Sequence, residues 1–310
     1  MKIVFMGTPQ AAVTSLEKLI NVGHEIVGVY TQPDRPSGRG NKITFSPVKQ
    51  FAADNGLPVF QPTKLRVQET IDDFISLNAD VAVVVAYGRI LPEVYLNVFA
   101  KGAINVHFSL LPKYRGAAPV NWAIVNGERT TGVTTMKMDA GLDTGDVLLV
   151  KETPIGSNEN AVELMDRLAV IGADTLAETL DNFDKLVPQP QDNSVATLAP
   201  IMDREDGRID WKMTAEEIAN RVRGFIPFPG TFTTFRELKL GITAALVYEE
   251  AHDVSTGEII MAEKGEILAA CGKNTILKIR EVKPEGKKIM SANDLINGMH
   301  PKKGERFGDR

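Results

Sequence analysis

The stretch Asp80-Val81-Ala82-Val83-Val84-Val85-Ala86 is apolar at every position after its first. A strand with one wet face alternates polar and apolar residues, whereas an unbroken β-branched run needs cover on both faces, as a central strand of a parallel sheet has. Toward the N-terminus, Ile3 to Met6 reads as a second such strand, and the segment after it sets Ala12, Leu16, Leu19 and Ile20 at helical spacing. His24 to Tyr30 is strand-like, Pro47 to Asn55 helical, Leu57 to Phe60 a short strand and Val67 to Leu77 a helix. Toward the C-terminus, Gly102 to Phe108 and Gly132 to Met138 read as strands, with helices over Ala118 to Val125 and about Asn160 to Phe183. Alternating strands and helices imply right-handed crossovers, hence an open Rossmann-like, mostly parallel α/β sheet that binds ligands at the carboxyl ends of its strands.

This periodicity stops at Pro188-Gln189-Pro190-Gln191-Asp192-Asn193, a composition typical of an extended linker. The expected organisation is a first domain over residues 1–187, a linker over 188–206 and a smaller C-terminal β-barrel domain over 207–310. Within the last, Ala215 to Arg223 is helical and Ile226-Pro227-Phe228-Pro229-Gly230 is rich in turn residues. Beyond them Gly241, Gly257, Gly265, Gly272 and Gly286 separate short β-branched runs, the spacing of a small barrel.

At 310 residues the chain is longer than one hydrophobic core usually supports, which agrees with two domains. Hydrophobic residues at 43% and charged residues at 24% exclude disordered, collagenous and coiled-coil classes. No stretch approaches the roughly 20 apolar residues that span a bilayer, and the apolar run at Met1 to Gly7 is too short for a signal peptide, so a cytoplasmic protein without membrane contact is expected. One cysteine, Cys271, excludes a disulfide framework and a thiolate metal cluster, and it reads as a small buried hydrophobe. A net charge of -5 excludes a protein that coats nucleic acid indiscriminately, although not a local basic face. From Gly207 onward there are 17 Lys+Arg against 15 Asp+Glu, and 18 against 25 before it, so the two parts carry about +2 and -7.

Chemistry concentrates in Ile104-Asn105-Val106-His107-Phe108-Ser109. Side chains alternate along a strand, so Asn105, His107 and Ser109 share one face and Ile104, Val106 and Phe108 the other. Asn105 and His107 then lie roughly 7 Å apart, close enough to reach one small reacting group. A purely structural strand in this setting carries apolar residues on both faces, so the polar pair requires a reason. The loop from Leu110 to Pro119 leaves the carboxyl end of that strand, where open sheets bind ligands. The next strand ends in Asp139-Ala140-Gly141-Leu142-Asp143-Thr144-Gly145-Asp146, whose glycines allow the Asp143 carboxylate to be aimed back at the same crevice. His24, His252 and His300 lack such company and read as structural, as do the turn-formers Asp139 and Asp146.

The runs Asn105-Val106-His107, Ser109 to Pro119 and Gly141 to Asp146 resemble the signature of folate-dependent formyltransferases. The resemblance extends over nearly the whole chain. Phe5-Met6-Gly7-Thr8-Pro9 and Tyr30-Thr31-Gln32-Pro33-Asp34-Arg35-Pro36-Ser37-Gly38-Arg39-Gly40 are similar to the members that act on aminoacylated initiator tRNA. It is looser in the second domain, where Gly207-Arg208-Ile209-Asp210-Trp211 matches but Ile226-Pro227-Phe228-Pro229 stands where the family commonly shows Asn-Pro-Trp-Pro. The family implies Asn105, His107 and Asp143 as the catalytic residues, with 10-formyltetrahydrofolate as donor substrate near Ile90, Leu91 and Ser109, Leu110, Leu111 and Pro112. It also implies initiator methionyl-tRNA as acceptor, met by Arg39 with Arg35 and Lys42, a basic second domain that tracks tRNA phosphates, a monomer, and no metal. Phosphoribosylglycinamide, an amino sugar or water would be the rival acceptors on the same three residues. A nicotinamide-dependent oxidoreductase fits the fold, but Gly7-Thr8-Pro9-Gln10-Ala11 lacks the repeated glycines that admit a pyrophosphate.

Overall fold

The computed structural model describes residues 1–37 and 42–308, with the backbone alone at 36, 37, 42 and 43. In chain order its elements begin with β1 (Lys2–Gly7), α1 (Gln10–Asn21), β2 (Glu25–Tyr30), β3 (Arg35–Ser37), β4 (Lys42–Thr44), α2 (Pro47–Asp54) and β5 (Val59–Phe60). They continue with α3 (Gln68–Ser76), β6 (Val81–Val85), α4 (Glu93–Asn97), β7 (Ala103–His107), β8 (Arg115–Gly116), α5 (Pro119–Val125), β9 (Thr130–Lys137), β10 (Val147–Pro154), α6 (Ala161–Asp181) and β11 (Leu198–Ala199).

Seven strands form one sheet in the order β10-β9-β7-β6-β1-β2-β5, which puts β6 fourth of seven. Every residue of β6 is buried, as the unbroken apolar run requires. The pairs β5-β2, β2-β1, β1-β6 and β6-β7 are parallel, while β9 and β10 run antiparallel at one edge. The mostly parallel α/β reading therefore holds. The strand β10 was not anticipated: its apolar run stops at Val150, and Lys151, Glu152 and Pro154 beyond it are exposed, as an edge strand allows. On one side of the sheet α3 seats Phe74 among Tyr30, Tyr95 and Phe99, with ring centroids 5.3, 4.5 and 4.9 Å away. The loops after β1, β2 and β6 meet at one point: Thr8 Oγ1 and Gln32 Nε2 both donate to the Tyr87 carbonyl, at 2.9 and 3.0 Å.

The chain divides into two compact units, the first comprising residues 1–119, 130–154 and 165–199. Residues 188–206, expected as a linker, divide at Ala199. Gln189 exchanges both backbone hydrogen bonds with Val147 at the start of β10, and β11 pairs in parallel with β8. Residues from Pro200 onward belong to the second unit, together with 120–129 and 155–164.

In the second unit α7 (Ala215–Gly224) is followed by β12 (Thr231–Phe235), β13 (Leu238–Tyr248), β14 (Ile259–Glu263), β15 (Glu266–Ala270), β16 (Ile276–Pro284), β17 (Met290–Ser291) and α8 (Ala292–Met299). The antiparallel sheet runs β12-β13-β16-β15-β14. The C-terminal segment then bridges both edges, Arg306 to Glu258 beside β14 and Phe307 to Phe235 in β12, which closes the small barrel. Trp211 sits under this closure, stacked 5.2 Å from Phe307 with its Nε1–H donated to Thr233 Oγ1. The helix α7 opens on a capping box in which Thr214 and Glu217 satisfy each other's backbone N–H groups.

Cys271 is fully buried in the barrel core, and that burial pushes its thiol up to about 12. The thiolate is the reactive species, so the native thiol should resist a thiol reagent at pH 8 and react fully only on denaturation. Rapid stoichiometric labelling of the native protein would contradict this burial. Above pH 9 the unfolded thiol loses its proton while the folded one keeps it, so this group makes stability fall as pH rises from about 9 toward 12.

Candidate active site

The strand β7 presents its two faces as the alternation demands. Val106 and Phe108 lie toward Gly172 of α6, where an added Cβ would meet them at 3.1 and 3.2 Å. Asn105 and His107 face the other way and are 8% and 5% exposed. His107 is the last residue of β7, at the carboxyl end of the parallel strands.

His107 Nε2 lies 2.9 Å from the Tyr114 carbonyl oxygen. A carbonyl only accepts, so this nitrogen carries a hydrogen and the tautomer is defined by the loop. The other nitrogen, Nδ1, faces Asp143 Oδ2 at 3.7 Å. That gap is too long for a direct hydrogen bond, and a water or substrate oxygen seated beside the pair can bridge it. The Gly116 N–H donates to the same Oδ2 at 2.8 Å, holding the carboxylate by a charge-assisted bond. Among the described residues the Asn105 amide has no hydrogen-bond partner, yet its polar atoms are not sealed from solvent. The structure thus brings Asn105 and His107 onto one face and Asp143 beside the imidazole, with an uncommitted amide at hand.

Two loops are shaped to allow this. After β7, Thr134 Oγ1 donates to the Ser109 carbonyl at 2.7 Å and accepts the Leu111 N–H at 3.2 Å, while the Ser109 hydroxyl donates to the Lys113 carbonyl at 2.7 Å. The hydroxyl of Ser109 is therefore engaged in folding the loop, and Leu111 is buried with it. In the Asp143 turn, Asp139 Oδ1 accepts from the Gly141 N–H and the Thr144 hydroxyl. A Cβ on Gly145 would stand 1.7 Å from the Lys137 carbonyl oxygen, so only glycine permits this close return onto β9. Gly116, at φ +122, would likewise drive a Cβ to 2.7 Å from the Ala199 oxygen. Ala86, Tyr114 and Asp143 have φ of 47, 62 and 52, a conformation uncommon outside glycine, held here by surrounding bonds.

Of the other residues expected here, Ile90 is 82% exposed on the loop after β6, whereas Leu91 is packed into the aromatic core. Leu142, on the Asp143 turn, is a second exposed apolar side chain. Arg35 is exposed on β3, Lys42 belongs to β4, and Arg39 lies outside the described residues. Asp34, counted with that loop, pairs with Lys49 and accepts from Gln61, and these bonds hold its carboxyl below the usual range. Sequence reasoning missed Thr134, Gly116 N–H, Thr197 and Gln191. Their roles arise from contacts between distant segments, and only the polar run Gln191-Asp192-Asn193 gave a signal, read as linker composition. Among the described residues no helix is long and apolar enough to cross a membrane, and no group of three or more His, Cys, Asp or Glu could hold a metal ion.

A Rossmann-like sheet with Asn, His and Asp gathered at the carboxyl end of β7 defines a class, and the chain belongs to the formyl transferase family: residues 1–180 match the family model "Formyl transferase" and 201–300 match "Formyl transferase, C-terminal domain". The chain is 48% identical over 311 residues to the methionyl-tRNA formyltransferase of Alkaliphilus oremlandii, covering all of both chains. It is 47% identical over 312 residues to that of Citrifermentans bemidjiense, covering all of this chain and 97% of the relative. Among solved structures, an N-formyltransferase from Helicobacter canadensis in complex with folinic acid and dTDP-3-aminofucose superposes with a TM-score of 0.67. It covers 90% of this chain and 98% of its own at 19% identity, a likeness of fold.

Proposed function

We propose that this chain transfers the formyl group of 10-formyltetrahydrofolate to the free amino group of methionyl-initiator tRNA, giving formylmethionyl-tRNA for translation initiation. The observation that carries this reading is identity near 48% across the whole chain, barrel included, to a relative of that name.

The geometry supports a division of labour among the three polar residues. An α-amino group has a reference pKa near 8, so about a tenth of it is unprotonated at pH 7 and ready to attack. A C–N bond forms to the formyl carbon, and the carbonyl oxygen becomes an oxyanion. Preorganised donors at that oxygen are usually the largest catalytic contribution, and the Asn105 amide, without a partner among the described residues, is one such donor. The His107 ring, held through Nε2–H by Tyr114, offers Nδ1–H as the second when it is doubly protonated, with Asp143 beside it to stabilise the imidazolium. Asp143 holds a water near Nδ1 that passes a proton from the attacking amine to N10 of the folate as the C–N10 bond breaks. The exposed apolar side chains of Ile90 and Leu142 suit the faces of a pterin, with Leu110 and Pro112 along the folate path.

For the acceptor, Arg39 with Arg35 and Lys42 would meet the tRNA end, and the exposed Lys283, Lys287, Lys288, Lys302 and Lys303 of the second unit would follow phosphates. Each phosphate contact releases counterions, so KM for the tRNA should rise about tenfold per tenfold increase in salt for each contact, while KM for the folate stays level. A flat response for the tRNA would contradict phosphate contacts.

Incubating the purified protein with 10-formyltetrahydrofolate and, in parallel, methionyl-tRNA, phosphoribosylglycinamide or a nucleotide-linked amino sugar tests the reading. Formylation of methionyl-tRNA alone is expected, and preference for either other acceptor would replace it.

A further inference from the structure

Gln191 lies 48 residues beyond Asp143 in a segment of linker composition, yet its side chain is built into the Asp143 turn. Its Nε2 donates to the Asp143 carbonyl at 2.9 Å and to the Gly145 carbonyl at 2.7 Å. Its Oε1 accepts from Arg115 twice, from Nε at 3.0 Å and from Nη2 at 2.7 Å. These partners assign the amide orientation without ambiguity, since two carbonyls can only accept and a guanidinium can only donate. Both hydrogens and both lone pairs are thereby used.

The Arg115 guanidinium is itself held. The residue is 7% exposed, and Nη2 also donates to Asn193 Oδ1 at 2.9 Å. Its backbone N–H donates to Thr197, and the next residue, Gly116, gives the N–H that grips the Asp143 carboxylate. A closed circuit results: carboxylate to Gly116, along the chain to Arg115, across to Gln191, and back to the carbonyl of Asp143 itself. Asp143 is fastened at both ends, side chain and backbone, while its φ of 52 sits where a non-glycine residue needs such support.

We infer that Gln191, locked by Arg115, is a positioning residue for the reaction: it sets the backbone of the Asp143 turn so that the carboxylate meets His107 Nδ1. This inference rests on the reading of Asp143 as part of the catalytic group. It gives the segment after α6 a task in the chemistry in addition to joining two units. A misplacement of about 1 Å at a reacting group can cost about a hundredfold in rate, so small losses of register at this turn matter.

The test is a double-mutant cycle on the full chain with 10-formyltetrahydrofolate and methionyl-tRNA. Gln191→Glu keeps the acceptor for Arg115 but sets a second oxygen against the two carbonyls. It should lower kcat about tenfold to a hundredfold, with KM for both substrates within about threefold and Tm lowered by the loss of two hydrogen bonds yet still above the assay temperature. In an Asp143→Ala background the same change should lower kcat no further, because the group it positions is gone. Gln191→Met, which removes donors and acceptor without adding charge, should behave alike and decides the matter if the glutamate variant does not fold. If Asp143→Ala retains near wild-type kcat, the reading of Asp143 fails and takes this inference with it. If Asp143→Ala is impaired but the Gln191 variants turn over normally, or are impaired equally in both backgrounds, the inference alone is overturned.

Discussion

Asn105→Ala should lower turnover by about a hundredfold or more while the protein remains folded, as measured by kcat with 10-formyltetrahydrofolate and methionyl-tRNA beside a thermal melt. The magnitude follows from the loss of one preorganised donor to an oxyanion, which costs about 2.7–4 kcal/mol of transition-state stabilisation. The expectation that folding survives follows from the structure: the amide has no hydrogen-bond partner among the described residues, so truncation leaves no protein group newly unpaired. His107→Ala should lose at least as much turnover, but it also removes the buried hydrogen bond to the Tyr114 carbonyl and so costs about 1 kcal/mol of stability besides. The two variants therefore separate chemistry from folding. Near wild-type kcat in the asparagine variant would remove it from the reaction.

Phe74→Ala should show the opposite profile, a loss of about 3–5 kcal/mol in stability with kcat close to wild type wherever the protein is folded. Phe74 is 1% exposed and central to the aromatic cluster that seats α3 on the sheet, within 4.5–5.3 Å of three other rings. The rigid packing around it cannot collapse fully, so the cost includes a cavity as well as lost apolar burial. Because the chain has two compact units, the urea transition should be followed by a probe in the first, and a shift equivalent to less than about 1.5 kcal/mol would show that the cluster is not what anchors α3.

The sheet was legible because its central strands obey a local rule. Val81 to Val85 reports its own burial on both faces, and the polar pair Asn105 and His107 stands out against that rule two residues apart on β7. The strands of the second unit were legible in part: Gly257, Gly265, Gly272 and Gly286 fall between strands as expected, whereas Gly241 lies inside β13, and the pairing of β13 with β16 is not local. Even the family could be read from runs of residues adjacent in the chain.

What needed the tertiary structure is everything set by residues far apart in sequence. That Nε2 of His107 is spent on Tyr114, that Gly116 grips Asp143, and that Gln191 and Thr197 fold back along the loop from Pro112 to Gly116 are pairings across 7 to 83 residues. Local propensity carries no record of them, because a glutamine in a linker and a glutamine bonded to two carbonyls have the same backbone preferences and the same polarity. Residue types along the chain decide which groups are available and which face they share. Only the packed fold decides which hydrogen bonds those groups have already used, and so which of them, such as the Asn105 amide, have no protein partner among the described residues.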